Sequence, residues 1–79
     1  MAQPCTPAMV IDILETKVGV PADTPAIDTA SWEDLGVDSL GLSEVFANLW
    51  HLLGIEIPQE EAIHAGNVQE LVSLVNAQI

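Results

Sequence analysis

Apolar residues recur at helical spacing in three stretches of this chain. Within each stretch the large apolar side chains repeat about every three to four residues, which predicts a helix with one buried face. The members are Met9, Val10, Ile13, Leu14 and Val18 in the first stretch, Leu42, Val45, Phe46, Leu49 and Leu53 in the second, and Val68, Leu71, Val72, Val75 and Ile79 in the third. We therefore expect three substantial helices that bury these faces against one another.

Residues that favour helix ends stand at the borders of these stretches. Each of the three stretches is preceded by a residue that favours the N-cap position of a helix, namely Thr6, Asp38 or Asn67. Such a side chain accepts a hydrogen bond from a free backbone N–H in the first turn. Gly19 and Gly54 follow the first two stretches, as glycine often does where a helix ends. Glu70 completes a capping-box pattern that begins at Asn67.

The connections between these helices differ in length. Residues 20–37 carry two prolines and several turn-forming residues, which predicts a long ordered loop with a short turn at 31–34 and anchors at Ile27, Trp32 and Leu35. Residues 55–58 should be extended, because the residue before a proline avoids the α region. Residues 59–65 hold at most a short helix before Gly66. The predicted fold class is all-α: a small four-helix bundle of three main helices and one short helix, with a long loop between the first and second helices. We expect one domain over residues 1–79, with its core from about residue 6.

Acidic residues greatly outnumber basic ones. Twelve carboxylates stand against Lys17 alone, with no arginine, which gives a formal net charge of -11. Nucleic acids and anionic membranes are disfavoured as ligands, because neutralising phosphates requires Lys and Arg. A partner protein with a basic patch would be attracted instead. The alternative is that the charge serves only to keep the domain in solution.

Cys5 is the only cysteine, so the chain has no disulfide framework of its own. The first residues lack the basic and apolar segments of a signal peptide, and no apolar stretch reaches the roughly 18 residues of a membrane span. These features predict a soluble, cytoplasmic domain, and we expect a monomer.

A serine, two histidines and many acids raise the question of catalysis, and their spacing argues against it. The nucleophile elbow of an α/β-hydrolase needs glycine two residues before and after its serine; around Ser39, Gly41 fits and Val37 does not. His51 lies about 18 Å from Ser39 along the same predicted helix, too far to act as its base. We therefore predict no catalytic residue. No metal site is expected either, since no ligand spacing is formed by His51, Glu60, Glu61 and His64.

Ser39 is the most informative residue of the chain, because it opens the second helix in the segment Gly36-Val37-Asp38-Ser39-Leu40. A hydroxyl at a helix start offers a place where a prosthetic group can be attached. Taken alone, Asp-Ser is also a common helix start without chemistry. The order of elements around it carries more information: a long loop, this segment, a long helix, an Ile-x-Ile-Pro turn, an acidic short helix and a final helix.

This combination resembles the acyl carrier protein family over nearly the whole chain, from about Thr6 to Ile79. The matching segments are residues 34–40, Glu44, residues 54–58 and residues 68–75. The resemblance implies that Ser39 carries 4'-phosphopantetheine, installed from coenzyme A by a separate Mg-dependent phosphopantetheinyl transferase, with Asp38 as the helix cap beside it. The thiol of this group would hold acyl cargo as thioesters. Catalysis would then belong to partners such as an acyltransferase, a ketosynthase or other biosynthetic enzymes.

The resemblance also implies a surface that partners with basic patches recognise. Its members would be Leu40, Glu44, Ala47, Glu56, Ile57 and Glu60. On the helical wheel, the side opposite the buried stripe holds Leu40, Glu44, Ala47 and His51. Trp50-His51-Leu52 departs from the fatty-acid-synthesis pattern, which usually has acids there, so Trp50 and His51 join the predicted docking residues. Trp50 and Leu52 either contact partners or pack against loop residues.

Gly41 is a second departure from the usual pattern. Glycine costs about 1 kcal/mol in helix propensity relative to alanine, so this residue is expected to loosen the helix beside the attachment site.

The pathway is open at this level. The Asp-Ser-Leu-Gly-Leu segment, the Leu-Val-x-Leu-Val-Asn ending and the small domain without flanking linkers resemble the discrete carriers of bacterial type II polyketide synthesis, an antibiotic-producing class of pathway. Fatty-acid synthesis is the nearest rival, and a carrier for an aminoacyl or other unusual starter unit is a third possibility. From a different class, the chain could be an interaction module that is never modified.

Overall fold

The computed structural model describes residues 4–57, 59–62 and 64–78, and these form a bundle of helices. The helices are α1 Pro7–Ile13, α2 Ser39–Leu53, α3 Gln59–Ala62 and α4 Val68–Ala77, and a π-helical turn, π1 Leu14–Val18, continues α1. No strand occurs within the described ranges. The predicted all-α bundle of three main helices and one short helix is confirmed. Pro58 and Ile79, which the sequence assigns to the turn and to the last apolar face, lie outside the described residues.

The first helix begins as its sequence predicts and ends in a wider turn. Thr6 Oγ1 accepts a hydrogen bond from the Met9 N–H at 3.3 Å, and Pro7 takes the first helical position. In π1 the Gly19 N–H donates to the Leu14 carbonyl, five residues back, at 2.8 Å. Gly19 ends the helix with φ 91°, a left-handed conformation that favours glycine. The end at Gly19 is as predicted; the π turn before it is not.

The long loop between π1 and α2 is anchored in the core. Ile27 and Trp32 are buried and Leu35 is half-buried, which confirms the three predicted anchors. Val20 and Val37, at the two ends of the loop, are buried as well. The loop is therefore anchored to the bundle at these five residues, while the residues between them are mostly exposed.

Hydrogen bonds tie this loop to the segment before and inside α4. In each case a loop group bonds to a residue more than thirty positions further along the chain. The three bonds are Trp32 Nε1–H to the Ala65 carbonyl at 2.7 Å, Gln69 N–H to the Asp28 carbonyl at 3.0 Å, and Asn67 Nδ2–H to the Thr29 carbonyl at 3.3 Å. Because these three hydrogen bonds fix the loop, they also hold in place the start of α2, which follows the loop directly.

The apolar stripe of α2 faces the core as predicted. Val45, Phe46 and Leu49 are buried, and Leu42 and Leu53 at the ends of the stripe are half-buried. The helix ends at Gly54, which has φ 69° and whose N–H donates to the Trp50 carbonyl at 2.8 Å. The predicted glycine cap is confirmed.

Helix α4 starts at the predicted cap with one difference. Asn67 Oδ1 accepts a hydrogen bond from the Glu70 N–H at 2.8 Å. In a capping box the Glu70 carboxylate would reach back to the N–H of Asn67 itself. It accepts instead from the Gly66 N–H, one residue earlier. The reciprocal half of the predicted box is therefore shifted by one residue.

The core joins side chains from all the helices and the loop. Its largest fully buried members come from α1, π1, α2 and α4, namely Val10, Leu14, Val45, Leu49, Val68, Leu71 and Val75. Cys5 is also buried, and its backbone is bonded on both sides by the Asn76 side chain, N–H to Oδ1 at 2.8 Å and Nδ2–H to the carbonyl at 3.0 Å. This pair of bonds holds the start of the chain against α4.

Among the described residues, no helix is both long and apolar enough to span a membrane.

Candidate functional site

Ser39 is the first residue of α2, and its side chain is exposed. The fifteen residues of α2 follow it, so its hydroxyl stands at the positive end of a long helix dipole. Free backbone N–H groups of the first turn point the same way. This position favours a negatively charged substituent on the serine oxygen.

Asp38 fixes where α2 begins. Its backbone is extended, with φ -93° and ψ -174°, and its Oδ1 accepts a hydrogen bond from the Gly41 N–H at 2.8 Å. The predicted N-cap is confirmed. Because the cap holds the first turn in place, the position of Ser39 follows from that of Asp38.

A short turn in front of Asp38 connects the site to the core. The Val37 N–H donates to the Trp32 carbonyl at 2.8 Å, and both side chains are buried. Gly36 between them has φ 75°, which L side chains rarely adopt. Two buried residues thus hold the chain immediately before the exposed Asp38 and Ser39, so the hydroxyl is displayed on a rigid support.

Gly41 brings α2 close to its neighbours. A Cβ at this position would lie 3.0 Å from Val37 Cγ1 and 3.2 Å from Val18 Cγ1, tighter than ordinary van der Waals contact. The absence of a side chain therefore lets the first turn of α2 approach the last turn of π1. The sequence suggests that Gly41 loosens the helix, whereas the contacts favour a packing role.

The predicted docking residues fall into two structural groups. Exposed side chains are those of Leu40, Glu44, Ala47, Trp50, His51, Glu56 and Glu60. Ile57 differs, because its side chain is only 6% exposed and belongs to the core. Any part that Ile57 plays in docking is therefore one of supporting its exposed neighbours, which corrects its expected place on the surface.

Trp50 and Leu52 are exposed by 53% and 56%, so neither is packed away against the loop. This exposure contradicts the alternative that both side chains pack against loop residues, and contact with partners stays a prediction. At about 100° per residue, the two side chains lie roughly 160° apart around the helix, on opposite flanks of the buried stripe. They therefore do not form one continuous apolar patch.

A groove of about 670 Å³ lies beside Trp50, between α2 and the chain around α3. Its lining is formed by Phe46, Ala47, Trp50, Glu56, Ile57, Glu60 and Gln78. Four of the predicted docking residues besides Trp50 are thus brought together at one place. Phe46 and Gln78 were not predicted to line it, since their approach depends on how α3 and the end of α4 pack.

The two histidines do not assemble a reactive centre. His51 and His64 are both exposed, and no group of three His, Cys, Asp or Glu residues suited to a metal ion occurs in the described part of the chain. The His51 ring lies nearly parallel to the Trp50 ring, with centroids 6.3 Å apart.

Comparison with known proteins agrees with this arrangement. Residues 9–75 match the model of a family described as "Phosphopantetheine attachment site". The chain belongs to this family. It is a carrier protein whose domain serves the covalent attachment of 4'-phosphopantetheine. Carrier domains of this kind are generally non-catalytic and interact with a phosphopantetheinyl transferase and with biosynthetic enzymes.

A solved structure extends the comparison to the fold. The carrier is similar to an octanoyl acyl carrier protein, described as a non-natural intermediate, of the actinorhodin polyketide synthase in Streptomyces coelicolor, solved by NMR. The match has 28% sequence identity and a TM-score of 0.72, and covers 99% of this chain and 94% of the other. The resemblance to acyl carrier proteins of type II polyketide synthesis is therefore confirmed.

Proposed function

We propose that Ser39 is the residue that carries 4'-phosphopantetheine, and that the domain delivers acyl groups held on that arm to partner enzymes of polyketide biosynthesis. The single observation that carries the proposal is the exposed Ser39 hydroxyl at the start of α2, inside the span that matches the attachment-site family. When bound, the group supplies a terminal thiol that holds cargo as a thioester.

The residues around Ser39 suit the group that the family carries. A phosphodiester on the serine oxygen would stand at the N-terminus of α2, where the helix dipole and the free N–H groups favour negative charge. Asp38 uses its carboxylate to cap Gly41, and this bond keeps one oxygen of the acid engaged. The buried Val37 fixes the chain before the site. Ser39 therefore follows a segment that is fixed by buried residues, and its side chain stays accessible to partner enzymes.

This geometry favours a role in which the domain delivers acyl groups and catalyses no reaction itself. The only histidine on α2 is His51, about 18 Å from Ser39 along the helix, which leaves the serine without a general base from that source. In our proposal the chemistry is carried out by a phosphopantetheinyl transferase, an acyltransferase and a ketosynthase or related enzymes, and the domain works as a cytoplasmic monomer.

Partners would recognise the exposed face of α2 and the acids beyond it. Leu40 is 77% exposed next to Ser39, and Glu44, Ala47 and His51 follow it along the same face. Acidic side chains steer a basic partner over about 10 Å, while small apolar contacts set its position. The net charge of -11 supports such steering.

A type II polyketide pathway is favoured by the similarity to the actinorhodin carrier over nearly the full length of both chains. Fatty-acid synthesis and loading of an aminoacyl or other unusual starter unit are the alternatives. The exposed Trp50 and Leu52, in place of the acids usual in fatty-acid carriers, favour the specialised pathway.

Intact-mass measurement tests the function in two steps. The protein is first incubated with coenzyme A, Mg²⁺ and a broad-specificity phosphopantetheinyl transferase, and the modified form is then offered malonyl groups by a polyketide malonyltransferase, or amino acids by an aminoacyl ligase. We expect one phosphopantetheine and then one malonyl group. Efficient loading by the aminoacyl ligase alone would support the starter-unit alternative. Folded protein that gains no mass in the first step would instead be an unmodified interaction module.

A further inference from the structure

The groove beside Trp50 combines an aromatic wall with carboxylates. Trp50 stands on the α2 side, and Glu56 and Glu60 belong to the α3 side. All three side chains are exposed, while the buried Phe46 and Ile57 form an apolar floor. An apolar surface next to two acids is suited to a ligand that is both flat and positively charged.

Trp50 is held out in the free domain at an energetic cost. Its ring is 53% exposed, although burial of a tryptophan is normally among the largest apolar contributions to packing. Its polar neighbour His51 covers it only by an offset, near-parallel contact at 6.3 Å. Part of the indole therefore stays open toward the groove.

The residues that line the groove include no lysine or arginine that could pair with Glu56 and Glu60. Lys17 is the only lysine or arginine of the whole chain, and it lies in π1, whereas the groove is formed by residues of α2 and α3 together with Glu56, Ile57 and Gln78. A second copy of this chain has no arginine to offer and carries the same net charge of -11. Charge complementarity therefore favours a basic group of a different protein as the occupant of this groove.

We propose that this groove binds an arginine side chain of a partner enzyme, with the guanidinium stacked on Trp50 and hydrogen-bonded to Glu56 or Glu60. Arginine fits better than lysine, because its planar guanidinium stacks on aromatic rings and donates two parallel hydrogen bonds to a carboxylate. The inference rests on the proposed carrier function and adds a specificity-determining residue to it. Trp50 lies about 16 Å from Ser39 along α2, so the contact leaves the attachment site free.

The two indole N–H signals of the ¹⁵N-labelled protein provide the assay. The probe is the blocked peptide acetyl-Ala-Leu-Arg-Leu-Ala-amide, with otherwise identical peptides that contain lysine or neutral citrulline. We expect the Trp50 indole signal to shift saturably with the arginine peptide, about two- to fivefold more weakly with lysine, and not with citrulline. The Trp32 indole is buried and bonded to Ala65, so its signal is the internal control and should not move.

Variants then separate stacking from charge. Trp50→Leu, followed through the Ala47 amide signal, should weaken binding about two- to fivefold. The double change Glu56→Gln with Glu60→Gln should reduce the preference for arginine over citrulline to the roughly two- to fivefold that stacking on Trp50 alone provides. Glu33→Gln removes one exposed acid outside the groove and should leave the preference intact. An unshifted Trp32 signal verifies that each variant is folded.

Two results would overturn the proposal. One is an equal shift of Trp50 with the arginine and citrulline peptides. The other is a Trp50 signal that moves when the arm is loaded with an octanoyl group but not with any peptide, which would make the groove a cargo site. The gain in mass of the protein without substitutions, after treatment with coenzyme A, Mg²⁺ and the transferase, is measured separately. A protein that gains the group and ignores the peptide refutes only this inference, whereas one that binds the peptide and gains no mass refutes only the carrier role.

Discussion

Trp32 should contribute far more to stability than Trp50, and replacing each with phenylalanine measures the difference. Trp32 is 7% exposed and its indole N–H donates to the Ala65 carbonyl at 2.7 Å, whereas Trp50 is 53% exposed. Trp32→Phe removes the only donor on that side chain and leaves a smaller ring in the core. Trp50→Phe makes the same chemical change at the surface, which makes it a matched control.

The expected cost follows from two contributions. Leaving the buried Ala65 carbonyl without its partner costs about 1–3 kcal/mol, and the lost ring volume adds roughly 1 kcal/mol. We therefore expect Trp32→Phe to lower the free energy of unfolding by about 2–4 kcal/mol, and Trp50→Phe to change it by less than about 0.5 kcal/mol. A domain of this size has a total stability of roughly 4–12 kcal/mol, so the first loss is a large part of it.

Urea denaturation followed by circular dichroism at the helical band provides the assay, and a thermal scan gives a second estimate. A loss of 2 kcal/mol corresponds to a fall in Tm of roughly 8–16 °C for a small domain. The reasoning would be refuted by a Trp32→Phe protein whose stability equals that of Trp50→Phe. In that case the loop would not depend on its bond to Ala65, and Ser39 would lack the fixed support inferred for it.

Three further predictions concern the start of α2 and the buried thiol. Asp38→Ala should lower the free energy of unfolding, measured by urea denaturation, by about 1 kcal/mol, because the Gly41 N–H loses its acceptor. Asp38→Asn should keep the cap and stay within a few tenths of a kcal/mol of the parent; equal losses in the two variants would argue against the cap. In Gly41→Ala the new Cβ would press on Val37 and Val18 at a cost of about 1–3 kcal/mol, and the better helix propensity of alanine offsets about 1 kcal/mol of this. We therefore expect a net loss of up to about 2 kcal/mol that shrinks in a Val18→Ala background; a double-mutant cycle without coupling contradicts the packing role. Burial raises the pKa of the Cys5 thiol above its ordinary value of 9.0, so the unfolded chain ionises first. Stability should therefore be unaffected by this group well below pH 9.0 and fall as pH rises from there toward the raised folded pKa. Cys5→Ala should remove this alkaline loss, and an unchanged pH profile in that variant would assign the loss to other groups.

The helix ends were predictable because their chemistry is local. Thr6, Asp38 and Asn67 each bond to a backbone N–H three residues on, and such a contact can be inferred from a few neighbouring residues. The buried stripe of α2 follows from its period in the same way. Ser39 was singled out by the same local logic, supported by the order of elements around it, and its role as the attachment residue stays a prediction.

Features that depend on distant packing were missed or were predicted incorrectly. Gly41 matters because Val18 approaches it from another helical segment, which the sequence around Gly41 does not reveal. Ile57 was placed on the docking surface by the resemblance to acyl carrier proteins, yet its side chain packs into the core. The π turn before Gly19 and the groove beside Trp50 likewise arise from how separate elements meet.

Mapping the modified residue tests the central claim most directly. After treatment with coenzyme A, Mg²⁺ and the transferase, cleavage on the carboxyl side of glutamate releases the peptide of residues 34–44, which contains Ser39 and Ser43, while Ser31 and Ser73 fall in other peptides. Ser43, one turn further along α2 and also exposed, provides the control. We predict phosphopantetheine on this peptide in the parent and in Ser43→Ala, and none in folded Ser39→Ala. Modification that persists in Ser39→Ala, or that disappears in Ser43→Ala alone, would contradict the account.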